Sequence, residues 1–180
     1  LHVSSATPGR VLDLATGSGA IALAIAHERP RLHVVGTDVS PDAIDVARRN
    51  AARLHLANVD LRVGSWYAPV AGERYTLIAS NPPYIAMGDR RVERGVHRHE
   101  PHGALYSGED GLEALRVVVG EAPQHLVPGG WLVVEHGDTQ GAAVRALFAA
   151  AGFTEVATLR DLAGLDRSTE GKIGDTLQFP

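Results

Sequence analysis

The 180-residue sequence contains no cysteine. That excludes a disulfide framework, a thiolate metal site and a cysteine nucleophile. No apolar run approaches the ~20 residues that a bilayer span requires, although hydrophobic residues make up 44% of the chain. The first residues lack the basic, apolar, small-residue succession of a secretory signal. A basic excess is missing as well: the net charge is −4, which argues against a stand-alone nucleic-acid binder. There are no internal repeats and no low-complexity tract. These absences point to a cytoplasmic protein without membrane contact, built around one core for which the length suffices. The chain opens on Leu1 rather than methionine, and it reads as a piece of a longer protein or a processed form.

What the chain does have is strands alternating with helices. Apolar runs at Arg10–Leu14, Leu32–Thr37, Asn58–Val63, Tyr75–Ser80, Trp131–Glu135 and Thr154–Leu159 read as strands. Between them lie helical patterns. Ala20–His27 is rich in small residues. A second helix opens on Ser40-Pro41-Asp42 with a stripe of Ile44, Ala47, Ala51 and Leu54. A third, opened by an Asp110–Glu113 capping box and running through Leu126, has Leu112, Leu115, Val119 and Ala122 inward. Thr139–Ala151 forms a fourth, with Val144, Leu147, Phe148 and Ala151 inward. Such alternation predicts a doubly wound α/β sheet, mostly parallel. After Thr154–Leu159 no helix intervenes before the last strand, Arg167–Ile173, so the C-terminal edge is expected to be antiparallel.

Two stretches carry chemistry. Ala15-Thr16-Gly17-Ser18-Gly19 is a glycine-rich turn between the first strand and the first helix. Its glycines let a ligand approach the backbone, and the free N–H groups of a helix start favour an anionic or polar group. Gly17-x-Gly19-x-x-Ala22 also fits a dinucleotide fingerprint. Asp38 stands at the end of the second strand, about 20 positions on, where an acid grips ribose hydroxyls; a plain turn residue is the bland alternative. Trp66, beyond the third strand, would stack on a base or cap the core.

The second stretch is Asn81-Pro82-Pro83-Tyr84, which stops the fourth strand abruptly. The prolines have no N–H to donate and fix φ, so carbonyls of this turn can face a ligand as acceptors. Asn81 adds one acceptor and two donors, and Tyr84 a flat wall. Together they suit a planar group bearing an NH2, such as a carboxamide or an adenine amino group. Met87–His102 reads as a long charged loop over the site. His97, His99, Glu100 and His102 cluster in it, but no regular element fixes their geometry, so no metal site is expected.

With Leu12–Leu23, Asp38–Ala43 and Ser80–Ile85, the chain resembles class I methyltransferases that use S-adenosylmethionine. Glu100-Pro101 with Ala104-Leu105, Asp110-Gly111-Leu112, Pro128-Gly129-Gly130, Glu135-His136-Gly137 and Asp161-Leu162-Ala163-Gly164 narrow this to the peptide chain release factor glutamine methyltransferases. The resemblance covers about residues 10–173. It implies a Rossmann-like seven-stranded sheet, with residues 1–180 forming a single domain. It also implies methyl transfer to the glutamine amide of the Gly-Gly-Gln motif of bacterial release factors, with S-adenosylhomocysteine as the product. By the same resemblance, Ala15, Thr16, Gly17, Ser18 and Gly19 would hold the cofactor's methionine end, Asp38 its ribose, and Trp66 would lie near the adenine. Asn81 would touch cofactor and substrate, and Pro82, Pro83 and Tyr84 would complete the substrate pocket; Asn81, Pro82 and Tyr84 are the expected catalytic set. A monomer with no direct nucleic-acid contact is expected. Two departures stand out. Ala15 replaces the family's usual glycine, and the family's N-terminal helical domain has no counterpart in these residues. Three rivals remain on the residues alone: an adenine-N6 nucleic-acid methyltransferase, a non-catalytic adenosylmethionine-binding module, and a dinucleotide oxidoreductase.

Overall fold

The computed structural model describes residues 9–88 and 106–175. Seven strands form one sheet: β1 (Arg10–Leu14), β2 (His33–Asp38), β3 (Val59–Val63), β4 (Tyr75–Ser80), β5 (Leu126–Glu135), β6 (Thr154–Arg160) and β7 (Asp166–Lys172). Their order is β3-β2-β1-β4-β5-β7-β6. Strands β3 to β5 are mutually parallel. The C-terminal pair brings in the expected antiparallel element: β7 runs against both β5 and β6 and enters between them, leaving β6 outermost.

Side-chain alternation along the strands explains why both faces are covered. Leu12, Leu14, Ile78, Leu132 and Val134 point to the face buried under α3 (Glu113–His125) and α4 (Gly141–Ala150), where Leu115, Val119, Val144 and Phe148 meet them. Val11, Val34 and Leu77 point the other way, onto Ala22, Ile25 and Ala26 of α1 (Ala20–Glu28). On that side α2 (Pro41–Arg53) adds Ile44, Ala47 and Ala51 against Leu23 and Leu61. The Ser40 side chain caps α2 by accepting from the Ala43 N–H at 3.2 Å, with Pro41 in the first turn.

Three details depart from the sequence reading. Leu54 is not part of the α2 stripe; it lies at the helix C-cap and is 50% exposed. Helix α3 ends at His125, and β5 starts at once with Leu126 paired to Tyr75. Pro128–Gly130 is absorbed where the register shifts between Tyr75 and Leu77, which spares a ladder bond that Pro128 could not donate. Asp110 and Glu113 form no capping box either: Asp110 accepts from the Leu112 N–H and pairs with Arg116. The orphan N–H of Ala114 goes instead to the Ser107 hydroxyl at 2.7 Å, a partner too far upstream for a local motif to reveal.

Candidate functional site

In an open α/β sheet, ligands bind beyond the carboxyl ends of the strands, where the strand order reverses. Here the reversal falls between β1 and β4. Turns 15–19 and 81–84 leave the sheet side by side at that point, since Leu14 and Ser80 are register partners and the Ser80 hydroxyl donates to the Leu14 carbonyl at 2.9 Å. Asp38 and the Gly64–Trp66 turn end the next two strands outward. All the residues singled out above at positions 15–19, 38, 66 and 81–84 thus share one edge of the sheet. His97, His99, Glu100 and His102 lie outside the described residues.

The glycine turn is held by acids. Asp38 Oδ2 accepts from the Gly17 N–H and Oδ1 from the Ser40 N–H, each at 2.9 Å. Asp13 Oδ2 accepts from the Thr16 hydroxyl at 2.6 Å and from the Ala22 N–H at 3.0 Å. Asp13 is buried, and its Oδ1 has no partner among the described residues. Burial pushes the Asp13 carboxyl up to about 7; the bonds from Thr16 and Ala22 work against that rise, and the nearby Asp38 carboxylate adds to it. The N–H groups of Gly17 and Ala22 are thus already engaged by carboxyl oxygens. The Asp38 carboxylate makes this part of the turn unfavourable for a pyrophosphate and favourable for a ligand carrying positive charge. Asp13 was legible only as part of a strand.

Ala15 adopts φ 56°, the left-handed region. A glycine would take that conformation without strain. Trp66 also has positive φ, 43°; it is half-buried against the main core, and its carbonyl accepts from the Thr37 hydroxyl at 3.3 Å.

At the other turn, Asn81 is exposed, Pro82 buried, and Pro83 and Tyr84 half-buried. The Tyr84 ring packs against the core, and its hydroxyl donates to Glu135 Oε1 at 3.0 Å. Burial raises the Tyr84 hydroxyl above its usual range, reinforced by the Glu135 carboxylate and opposed by Arg167. Arg167 in turn grips Asp161 Oδ2 through Nε and a terminal nitrogen at 3.2 and 3.1 Å. The Tyr84 carbonyl accepts from Gln140 Nε2 at 3.0 Å. Glu135, Arg167 and Gln140 were not singled out individually from the sequence. The only hint was the Glu135-His136-Gly137 block.

A family model described as methyltransferase small domain matches residues 1–98, which include both turns. The chain belongs to that family. Among curated proteins, it is 56% identical over 171 residues to the release factor glutamine methyltransferase of Xylella fastidiosa strain Temecula1, a match covering 95% of this chain and 62% of that protein. A Vibrio cholerae protein of the same name is 46% identical, with 91% and 58% covered. The chain therefore spans about three fifths of the length of these relatives. Among solved structures, a methyltransferase from Pyrococcus furiosus superposes with a TM-score of 0.70 at 22% identity, covering 93% of this chain and 76% of that one. That likeness bears on the fold alone. For a methyltransferase small domain, an acid-lined glycine turn beside an Asn-Pro-Pro-Tyr turn is a chemically coherent pair: one side suits a cationic group, the other an amide.

Proposed function

We propose that this chain is the catalytic domain of a release factor glutamine methyltransferase. It would carry a methyl group from S-adenosylmethionine to the side-chain amide nitrogen of the Gly-Gly-Gln glutamine of a bacterial peptide chain release factor. The observation that carries the reading is the adjacency of the two turns across the β1–β4 switch point. The shared name of the curated relatives supplies the substrate class. Residues 10–173 would act as one domain, as a monomer in the cytoplasm and without direct nucleic-acid contact, in keeping with the net charge of −4.

The residues present fit the cofactor. Asp38 places a carboxylate on the Gly17 N–H at the glycine turn, with the buried Asp13 carboxyl behind it, and that arrangement suits a ligand with positive charge. Residues 15–19 would lie along its methionine end, Asp38 would face the ribose with its remaining lone pairs, and Trp66 would flank the adenine. Bound adenosylmethionine supplies an electrophilic methyl on a sulfonium.

The chain's own work is to present the acceptor nitrogen. An amide nitrogen is a poor nucleophile because its lone pair is delocalised into the carbonyl. The Asn81 side-chain oxygen and the Pro82 carbonyl would accept its two N–H bonds, aim the lone pair and favour the positive charge that develops on nitrogen. Pro83 and the Tyr84 ring would wall the carboxamide. The released proton passes to water after transfer.

The test is mass spectrometry of a bacterial release factor incubated with the chain and S-adenosylmethionine, with a Gln→Ala control at the Gly-Gly-Gln site. One added methyl on that glutamine is expected. Methylation of adenine in oligonucleotides, with none on the release factor or on a short Gly-Gly-Gln peptide, would overturn the reading.

A further inference from the structure

Gln140 is the residue that precedes α4, a position where a short polar side chain would ordinarily cap its own helix. It makes no such bond. Its side-chain amide reaches across the C-terminal edge of the sheet. The Nε2 group donates to the Tyr84 carbonyl at 3.0 Å and lies 3.4 Å from the carbonyls of both Asp110 and Gly111. Its Oε1 accepts from the Gly137 N–H at 2.8 Å. One amide thus joins three segments: the turn after β4, the approach to α3 and the end of β5.

Both sides of this junction are built for it. Gly111 has φ 73°, and a Cβ there would sit 2.4 Å from the Tyr84 carbonyl oxygen, so only glycine lets the two segments close on Gln140. Gly137 is pinned as well. Its carbonyl accepts from the Gln140 N–H and lies 2.9 Å from His136 Nδ1. The hydrogen bonds there form a chain whose constrained end is the Gly137 carbonyl. That carbonyl can only accept, so a singly protonated His136 ring donates to it through Nδ1 and accepts at Nε2 from the Thr169 hydroxyl. Thr169 then accepts from the Thr158 hydroxyl at 3.0 Å, which itself accepts from Arg145 at 2.7 Å. A connected chain therefore runs from the outer strand to the segment that orients Gln140.

We infer that Gln140 is a positioning residue for methyl transfer: by donating to the Tyr84 carbonyl while anchored on Gly137, it fixes the Asn81–Tyr84 turn in the geometry that presents the acceptor amide. The inference rests on the reading above. It concerns the turn after β4 and leaves the acid-lined cradle untouched, since among the described residues the hydrogen bonds of the Gln140 side chain go to Gly137, Tyr84, Asp110 and Gly111.

The decisive comparison is Gln140→Glu with Gln140→Ala. The glutamate variant keeps size and the acceptor for Gly137 but turns a carboxylate toward three carbonyls. If Gln140 merely filled space, the near-isostere would be the milder change; as a donor clamp, it is at least as harmful as the truncation. We expect kcat on the release factor to fall about 10- to 100-fold in both, with adenosylmethionine Kd within twofold of the starting chain. Amide exchange in peptides spanning 82–88 should rise, with exchange over 13–25 unchanged. Gln140→Met, of similar length without donors, serves if the glutamate variant does not fold. A Gln140→Glu chain with at least half the original kcat, or with cofactor affinity falling as far as kcat, overturns the inference. Exchange needs no substrate. Failure of the unsubstituted chain to methylate a release factor would sink the functional reading, while unchanged exchange at 82–88 in every variant would sink the positioning role.

Discussion

The Thr16 hydroxyl donates to Asp13 Oδ2 across 2.6 Å, and both groups are buried. That bond favours the carboxylate, but burial outweighs it and pushes the Asp13 carboxyl up from near 4 to about 7. Between those values the folded chain holds a proton that the unfolded chain has released. This group's contribution to stability therefore falls as pH rises from about 4 to 7 and is level above. A positively charged ligand at the turn reverses the preference by favouring the ionised form. Adenosylmethionine affinity should tighten about tenfold from pH 6 to pH 8 if the bound-state value drops by two units or more. Calorimetry across that range should show it, with proton release on binding. The slope should flatten in Asp13→Asn, and an unchanged slope there would assign the titration elsewhere.

The turn that Asp13 underlies carries a strained residue. Ala15 sits at φ 56°, where an L-residue is disfavoured and glycine is not. Ala15→Gly relieves that strain but frees the unfolded chain, which offsets part of the gain. The net expectation is a stabilisation of about 0.5–1 kcal/mol, read as a higher denaturation midpoint at unchanged m-value. Ala15→Val, β-branched in the same conformation, should lose at least about 1–2 kcal/mol.

Some of this was legible in the sequence and some was not, for physical reasons. The strands β1 to β4 announce themselves because parallel strands buried on both faces need continuous apolar runs, as in Val11-Leu12 and Leu77-Ile78-Ala79. The two candidate site turns are legible because Gly17, Gly19 and Pro82-Pro83 are local punctuation. The insertion of β7 between β5 and β6 is a long-range pairing that no local pattern specifies. The same holds for the Ser107 cap of α3 and for Gln140 on Tyr84, each of which joins segments distant in sequence. Asp13 looks like a polar interruption of a strand until burial and the Ala22 N–H give it a task.

Asn81 carries the heaviest chemical load in the proposed reaction. Asn81→Ala removes the side-chain acceptor for the substrate N–H and should lower kcat by about 10²–10³, with a smaller effect on cofactor affinity. Single-turnover methylation of a release factor measures this directly. A variant with kcat close to the original would take Asn81 out of the chemistry.

Tyr84, the proposed wall of the carboxamide pocket, is held at both ends, by Glu135 at its hydroxyl and by Gln140 at its carbonyl. Because its hydroxyl titrates above the usual range, it stays a donor to Glu135 throughout the physiological pH range. Tyr84→Phe keeps the ring and the backbone carbonyl but loses that bond, and kcat should drop about tenfold, in line with a hydrogen bond to a charged group. The loss should be flat from pH 6 to 9. A pH-dependent loss would mean that the phenol itself handles a proton.

The last prediction concerns the opposite end of the sheet, where stability rather than chemistry is at stake. Glu73 is bound by Arg62 at 2.7 Å, by Arg10, and by the Tyr75 hydroxyl at 2.9 Å. It thereby ties the first residue of β1, the third strand and the start of β4 into one polar cluster. Arg62 is the largest influence, and Glu73 is held near 2, below the usual glutamate range. A depressed carboxylate contributes stability that is fully present above the unfolded-state value near 4 and is lost as pH falls toward 2. Glu73→Gln should therefore cost about 1–3 kcal/mol at pH 7, since it leaves two guanidinium groups short of their common partner. The cost should shrink steadily as pH drops below 4. Denaturant titrations of both chains at pH 7 and pH 3 give the comparison, and an equal difference at the two values would show that Glu73 stabilises by packing rather than by charge.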